Sequence, residues 1–313
     1  MEVWDLFGAR SRLWRDWDLA LYSGKNQVNE NRERNRSTLQ WHGWMGLAII
    51  GISEVLLFSG VSFVRTFFTP LAWSGCILFM DSLVHRQRGT SWVLGRPKEF
   101  LLLLPISIGF WLIFEFYNLY LQNWHYVGLP EEAPLRLLGY AWAFATIWPA
   151  ILITAEAAGG WKRISRAKIR PWKVGRMALL FSPAFGGFCL ILPLITPAPV
   201  AHYLAAPVWL GFIFLLDPFN YWMGRDSLFL DLQKGDPRRL YSLLLSGAAC
   251  GFLWEFWNFW AGARWYYTVP ILGQIKVFEM PVLGYLGFPP FALECFVMYS
   301  FLKNLLLRLG CFR

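Results

Sequence analysis

The chain has 313 residues, 56% of them hydrophobic and only 16% charged, with a net charge of +9 and 19 tryptophans. A soluble domain carries charge on about a quarter of its residues, so this balance excludes an ordinary water-soluble fold and points to a polytopic membrane protein. The basic excess does not imply nucleic acid. With the N-terminus cytoplasmic, every Lys and Arg except Arg65, Arg136, Arg264 and Lys276 falls on an inside segment, the asymmetry that orients membrane helices.

Residues 1–42 form a polar N-terminal segment expected in the cytoplasm. Within it, 1–22 mixes Trp4, Phe7, Trp14 and Trp17 with Arg10, Arg12 and Arg15, a pattern shared by helices lying in the headgroup region and by disordered tails. Residues 23–40 read as a polar linker. No apolar stretch with a small-residue cleavage site precedes the first span, so that span is expected to start insertion itself.

Eight stretches then have about the 20 mostly apolar residues that a crossing needs: 44–63, 66–84, 100–122, 137–158, 177–196, 200–222, 240–262 and 281–302. Four precede the basic linker 159–176 and four follow it. The expected fold is an all-α transmembrane bundle of two four-helix units, 43–158 and 177–313, in a bacterial plasma membrane with both termini cytoplasmic. Cys76, Cys189, Cys250 and Cys295 lie inside spans and Cys311 near the end, placements that fit small apolar fillers better than a disulfide framework.

The two units repeat one another. GFWLIFEFYNLYLQNWHYVGLP at 109–130 and GFLWEFWNFWAGARWYYTVP at 251–270 place Glu115 on Glu255, Asn118 on Asn258, Tyr126 on Tyr266 and Pro130 on Pro270 at an offset of 140. Upstream, Trp73, Gly75, Asp81, Ser91 and Leu94 match Trp209, Gly211, Asp217, Ser227 and Leu230 at 136. Trp, Asp, Glu, Asn and Pro recurring in order argue for duplication. Four spans per half keep both halves in one orientation, so equivalent acids are expected at equal depth, facing across the interface.

A Glu with an Asn three residues on lies on one helix face. An ionised carboxylate at a helix centre costs roughly 2.5–3.5 kcal/mol on insertion scales, and no span interior offers Glu54, Glu115, Glu255 or Glu294 a Lys or Arg. A neutral Glu is a hydrogen-bond donor and a general acid. Asn118 and Asn258 are able to orient it, and Trp111, Tyr117, Trp254 and Trp257 supply π faces for a positive centre. Three uses fit such pairs: buried interhelical hydrogen bonds, a substrate site, or an ion or proton path. Glu294, in the last span beyond Pro289 and Pro290, is a further acid candidate. Asp81 and Asp217, near Arg86 and Arg225, read as helix-end carboxylates or as a polar entrance for a lipid headgroup. Trp124 with Tyr126 and Trp265 with Tyr266 read as an interfacial aromatic belt or as substrate contacts.

The four histidines show no metal-binding spacing, and no phosphate-loop or nucleophile-elbow motif is present, so neither metal nor cofactor is expected. The duplicated unit, with Asp81 and Asp217, Trp124-Tyr126 and Trp265-Tyr266, and Pro290 with Glu294, resembles the bacterial and archaeal membrane lycopene-cyclase domains. The resemblance implies acid-catalysed isomerisation or cyclisation of an isoprenoid. That family's P-x-E-E motif is absent: Pro130-Glu131-Glu132 has a different spacing, and Pro290 is followed by the single acid Glu294. The expected partners are membrane lipid and a hydrophobic small molecule. The expected activity is acid catalysis on a lipid, as cyclase, isomerase or hydratase, with a non-enzymatic carrier or an assembly scaffold as the other class.

Overall fold

The computed structural model describes residues 38–309. The readings made for residues 1–37 and for Cys311 lie outside that range. Over the described residues the fold is all-α, with nine principal helices: α1 Trp41–Phe58, α2 Ser62–Arg88, α3 Pro97–Leu121, α4 Ala133–Ala145, α5 Ile147–Ala158, α6 Arg176–Ile195, α7 Ala205–Trp222, α8 Arg238–Trp260 and α9 Phe288–Arg308. Short helices Trp92–Gly95 and Leu228–Gln233 follow α2 and α7. Strands β1 Trp124–Val127 and β2 Arg264–Tyr267 pair antiparallel, as do β3 Lys276–Val277 and β4 Met280–Pro281.

Among the described residues, seven helical stretches are long and apolar enough to cross a membrane, counting α4 with α5 and the 3-10 turn Val282–Gly287 with α9. The sequence led us to expect eight. Helix α7 is not among the seven, because Asp217, Pro218 and Asn220 interrupt the apolar run in its last turns. Residues such as Trp44, Ile52, Val55, Phe58, Leu119, Leu137, Phe181 and Ile195 are exposed, which a water-soluble protein of this size rarely tolerates.

Prolines shape the bundle. Pro70 has no N–H and its ring crowds the preceding turn, and α2 leaves helical geometry at Phe67 (φ −105°, ψ 20°). Pro149 likewise frees a carbonyl one turn back, next to the break between α4 and α5 at Thr146. Pro289 and Pro290 do not bend the last span in its middle; they sit in the first turn of α9, where the missing N–H groups have no helical partner to lose.

Two helix pairs pack through glycine. A Cβ on Gly46 of α1 would lie 2.4 Å from the Gly75 carbonyl oxygen of α2, and one on Gly186 of α6 would lie 2.6 Å from the Gly211 carbonyl oxygen of α7. Only backbones without side chains approach so closely. The bundle is also cross-tied: Tyr117 of α3 donates to the Leu190 carbonyl of α6 (3.1 Å), and Trp257 of α8 donates through Nε1 to Glu54 of α1 (3.4 Å).

At the centre lies an aromatic cluster around Phe291 of α9. Its ring is 5.3 Å from Trp209, 5.5 Å from Phe114, 5.7 Å from Trp148 and 5.9 Å from Trp111. One end of the bundle carries the β1–β2 ribbon and the other a network of ion pairs, including Arg88 and Arg96 on Glu156 and Lys303 on Glu99.

Candidate functional site

Helices α3 and α8 each end in the same arrangement. After α3, the Asn118 side chain donates to the Trp124 carbonyl (2.8 Å) and accepts from the Asn123 and Trp124 N–H groups (2.9 and 3.3 Å). After α8, Asn258 donates to the Trp265 carbonyl (2.8 Å) and accepts from the Trp265 N–H (2.9 Å). A carboxamide offers both a donor and an acceptor, so each Asn acts as a piece of strand that clamps the incoming ribbon to the end of its helix. The asparagines therefore touch backbone and do not contact the acids that they were expected to orient.

The clamped ribbon reaches those acids. In the β1–β2 register, Trp124 lies opposite Tyr267 and Tyr126 opposite Trp265. Side chains alternate along a strand, so these four rings share one face of the ribbon, while His125, Val127, Arg264 and Tyr266 take the other. Glu115 accepts on Oε1 from Tyr126 (2.5 Å), Trp111 (2.8 Å) and Trp124 (3.2 Å). Glu255 accepts on Oε1 from Tyr267 (2.8 Å) and Trp265 (3.4 Å), and Trp265 Nε1 also donates to the Tyr267 hydroxyl (2.8 Å). Burial, and after it the adjacent Glu115 charge, raises the Tyr126 phenol well above its usual range. Burial and then Glu255 do the same to Tyr267. Both phenols stay neutral donors.

This corrects the expectation for Tyr266. Its ring lies tilted against that of His125 on the opposite face of the ribbon, 5.4 Å away, and Tyr267 holds the acid instead. The signal was in the sequence: the Trp-x-Tyr spacing of 124 and 126, applied to Trp265, lands on Tyr267 and not on Tyr266. One extra residue between Asn258 and Trp265 shifts the offset from 140 to 141.

Beneath the ribbon's aromatic face is a cavity of about 520 Å³, within the ~300–1,000 Å³ range of small-molecule sites. Of the residues singled out in the sequence, Trp111, Trp124, Tyr126, Trp254, Trp265 and Glu255 line it. Trp73, Trp209, Tyr140, Phe291 and Tyr267 line it too; the first two were visible in the sequence only as repeat markers. Glu255 is fully buried, with Oε1 held by the ribbon and Oε2 without a hydrogen-bond partner.

Several expected site residues lie off this lining. Glu115 is half-buried and absent from the lining, while Trp111, Trp124 and Tyr126, which donate to it, are on the lining. Trp257 packs edge-on against Trp73 (5.1 Å) and is not on the lining. Glu294 sits one helical turn past Pro290 and Phe291, fully buried, and accepts from the Phe212 N–H (3.2 Å).

Asp81 and Asp217 belong to the opposite end of the bundle and to no part of the cavity lining. Asp81 accepts from the Trp92 and Val93 N–H groups (2.8 and 3.2 Å) and lies 3.2 Å from His42 Nε2. Asp217 accepts from Leu228 and Phe229 N–H (3.0 and 2.8 Å) and from the Ser227 hydroxyl (3.0 Å). Each satisfies the open N–H groups of the short helix that follows its span, next to the N-cap serines Ser91 and Ser227. This chemistry needs an acid there without any substrate.

Nearby is a second cavity of about 90 Å³, bounded by Arg88, Glu156, Asp226, Arg239 and Lys303. Arg239 pairs with Asp226 (2.9 Å) and Asp231 (3.1 Å). Among the described residues, no three His, Cys, Asp or Glu come together as a metal-binding set. Comparison with protein-family models, with curated proteins and with solved structures finds no match to this chain.

Proposed function

We propose that the chain is an eight-crossing membrane protein of two tandem halves in the same orientation, and that it binds a hydrophobic molecule between them and acts on it with Glu255 as acid and base. The repeated Asn clamps, the two acid–ribbon contacts, the two glycine contacts at Gly46/Gly75 and Gly186/Gly211, and the two serine-capped helices held by Asp81 and Asp217 all support the duplication. Counting α7 as a crossing accords with its position: His202, just before it, accepts from Asn123 beside the ribbon, and Asp217 lies at the ion-pair end. The excess of basic residues at the ion-pair end makes that end cytoplasmic, which puts the cavity in the outer half of the membrane.

One observation carries the site. A fully buried carboxyl lies on the wall of an apolar, tryptophan-lined cavity, one oxygen pinned by two donors and the other with no partner. Such a group is placed to give or take a proton at a bound molecule, and the surrounding indoles stabilise positive charge developing there. Isoprenoid or other lipid substrates match these walls, in keeping with the resemblance to lycopene-cyclase domains. Glu115, with three donors on one oxygen and no place on the lining, is assigned the anchoring role alone.

The test is incubation of the purified protein with the lipid extract of its own membrane, followed by mass spectrometry of the bound fraction. A mass change that Glu255→Gln abolishes and Glu115→Gln leaves supports the enzyme, since Gln keeps the ribbon's acceptor but has no acid proton. A bound lipid that moves between vesicles with its mass unaltered would identify a carrier and overturn the catalytic assignment.

A further inference from the structure

The cavity is apolar by area but not by chemistry, and its few polar atoms share a property. Four residues on the lining carry a buried polar atom with no hydrogen-bond partner: Thr69 Oγ1, Trp73 Nε1, Asn123 Oδ1 and Glu255 Oε2. Each residue is more than nine-tenths buried, at 6%, 1%, 3% and 0% exposure. Thr69 and Trp73 are four residues apart on α2 and so share a face. The Trp73 ring lies 4.9 Å from that of Trp254, the neighbour of Glu255 on α8. Asn123 is held at the foot of the ribbon by its donors to the Leu121 and His202 carbonyls (2.9 and 3.2 Å), which leaves its amide oxygen as the open end.

A buried polar group left unpaired costs about 1–3 kcal/mol, and native interiors hold few of them. Four on one lining are complementary to something polar. Their chemistry specifies what: an indole N–H only donates, an amide oxygen only accepts, and a hydroxyl or a carboxyl does both. A hydrocarbon satisfies none of them. A carboxylate or phosphate would answer the indole N–H and oppose the Asn123 and Glu255 oxygens. A single hydroxyl accepts from Trp73 and donates to Asn123 or Glu255.

We infer that the molecule taken by this cavity is a neutral, oxygenated apolar compound, an alcohol of isoprenoid or other lipid skeleton, and not a bare hydrocarbon. The inference rests on the reading of the cavity as a substrate site and names the class of that substrate. The hydroxyl lies among Thr69, Trp73 and Glu255, and the skeleton lies against Trp111, Trp209 and Phe291.

The experiment compares a linear isoprenoid alcohol with the hydrocarbon of the same skeleton, bound to the full-length protein in neutral detergent and read by quenching of tryptophan fluorescence at matched mole fraction in the micelle. The alcohol is expected to bind about tenfold more tightly, equivalent to ~1.4 kcal/mol. Trp73→Phe, which keeps an aromatic ring and removes the donor, is expected to bring that preference to about twofold or less. Thr69→Val, close in shape, makes the same measurement if Trp73→Phe fails to fold. Equal binding of alcohol and hydrocarbon by the wild-type protein, the result expected if the polar atoms are satisfied by water alone, overturns the inference and leaves the site standing. A preference that survives both substitutions overturns it too. If neither compound quenches the wild-type protein, the cavity is not a site for such molecules, and both readings fall together.

Discussion

Asn258→Leu tests whether the repeated asparagines act as clamps on the ribbon. The substitution keeps the side chain's approximate volume and removes two hydrogen bonds, of 2.8 and 2.9 Å, to the carbonyl and N–H of Trp265. Each backbone group left unpaired costs ~1–3 kcal/mol. Trp265 is half-buried, so the lower part of that range applies, and the pair amounts to ~2–4 kcal/mol out of a typical total of ~5–15 kcal/mol. For a chain of this size such a loss lowers the melting temperature by roughly 3–6 °C. Circular dichroism and tryptophan fluorescence in one neutral detergent measure it, with fluorescence falling first because the indole of Trp265 sits beside Glu255. Asn118→Leu, which removes three such contacts, should cost at least as much. If Asn258→Leu melts with the wild-type protein, the ribbon does not depend on the clamp, and the geometry at Glu255 must be held by other contacts.

Tyr267→Phe removes a 2.8 Å bond to Glu255 and should destabilise the protein by about 1–2 kcal/mol and weaken ligand binding, whereas Tyr266→Phe should do neither; the reverse ranking in thermal melts would refute the ribbon register. Gly46→Ala places a Cβ 2.4 Å from a backbone carbonyl oxygen and should cost ~1–3 kcal/mol; Gly51→Ala, with nothing within 4 Å, should be neutral or slightly stabilising, so equal effects would contradict the close packing of α1 on α2. Burial pushes the Asp231 carboxyl from 3.8 up to about 6, against the opposing pull of Arg239. A folded-state pKa raised in this way contributes stability that is fully present below about pH 4 and lost as pH rises through 6, by roughly 3 kcal/mol in all. Relative to the wild-type protein, Asp231→Asn should therefore gain melting temperature between pH 4 and 7; a gap that stays constant with pH would show that Asp231 does not titrate in this range.

How legible each feature was depended on whether it was local. The Glu115/Asn118 and Glu255/Asn258 pairs stood out because polar residues are rare in apolar runs, and the structure brings both acids to one two-stranded ribbon. Tyr267 was missed because an alignment at constant offset passes over the one residue inserted between Asn258 and Trp265; the local Trp-x-Tyr spacing, read with strand alternation, selects Tyr267. Asp81 and Asp217 stood out at corresponding positions, but their partners are backbone N–H groups, which look the same beside every residue type. Pro70, Pro149 and Pro289–Pro290 stand next to helix breaks near 67, 146 and 288, whereas Pro105, Pro183, Pro193 and Pro218 lie inside helices, so proline positions alone do not say where a helix breaks.

The amino-acid sequence by itself determined that this is an apolar, helical, membrane-type chain with acids recurring at matched positions, since length, hydropathy and spacing are properties of single segments. Only the tertiary structure decided that Glu255 lines a cavity and Glu115 does not, that the asparagines clamp strands, and that Thr69, Trp73 and Asn123 join Glu255 on the lining of that cavity. Those facts depend on which side chains fill the space between distant segments, and hydrogen bonds and packing across that space are settled by three-dimensional neighbours.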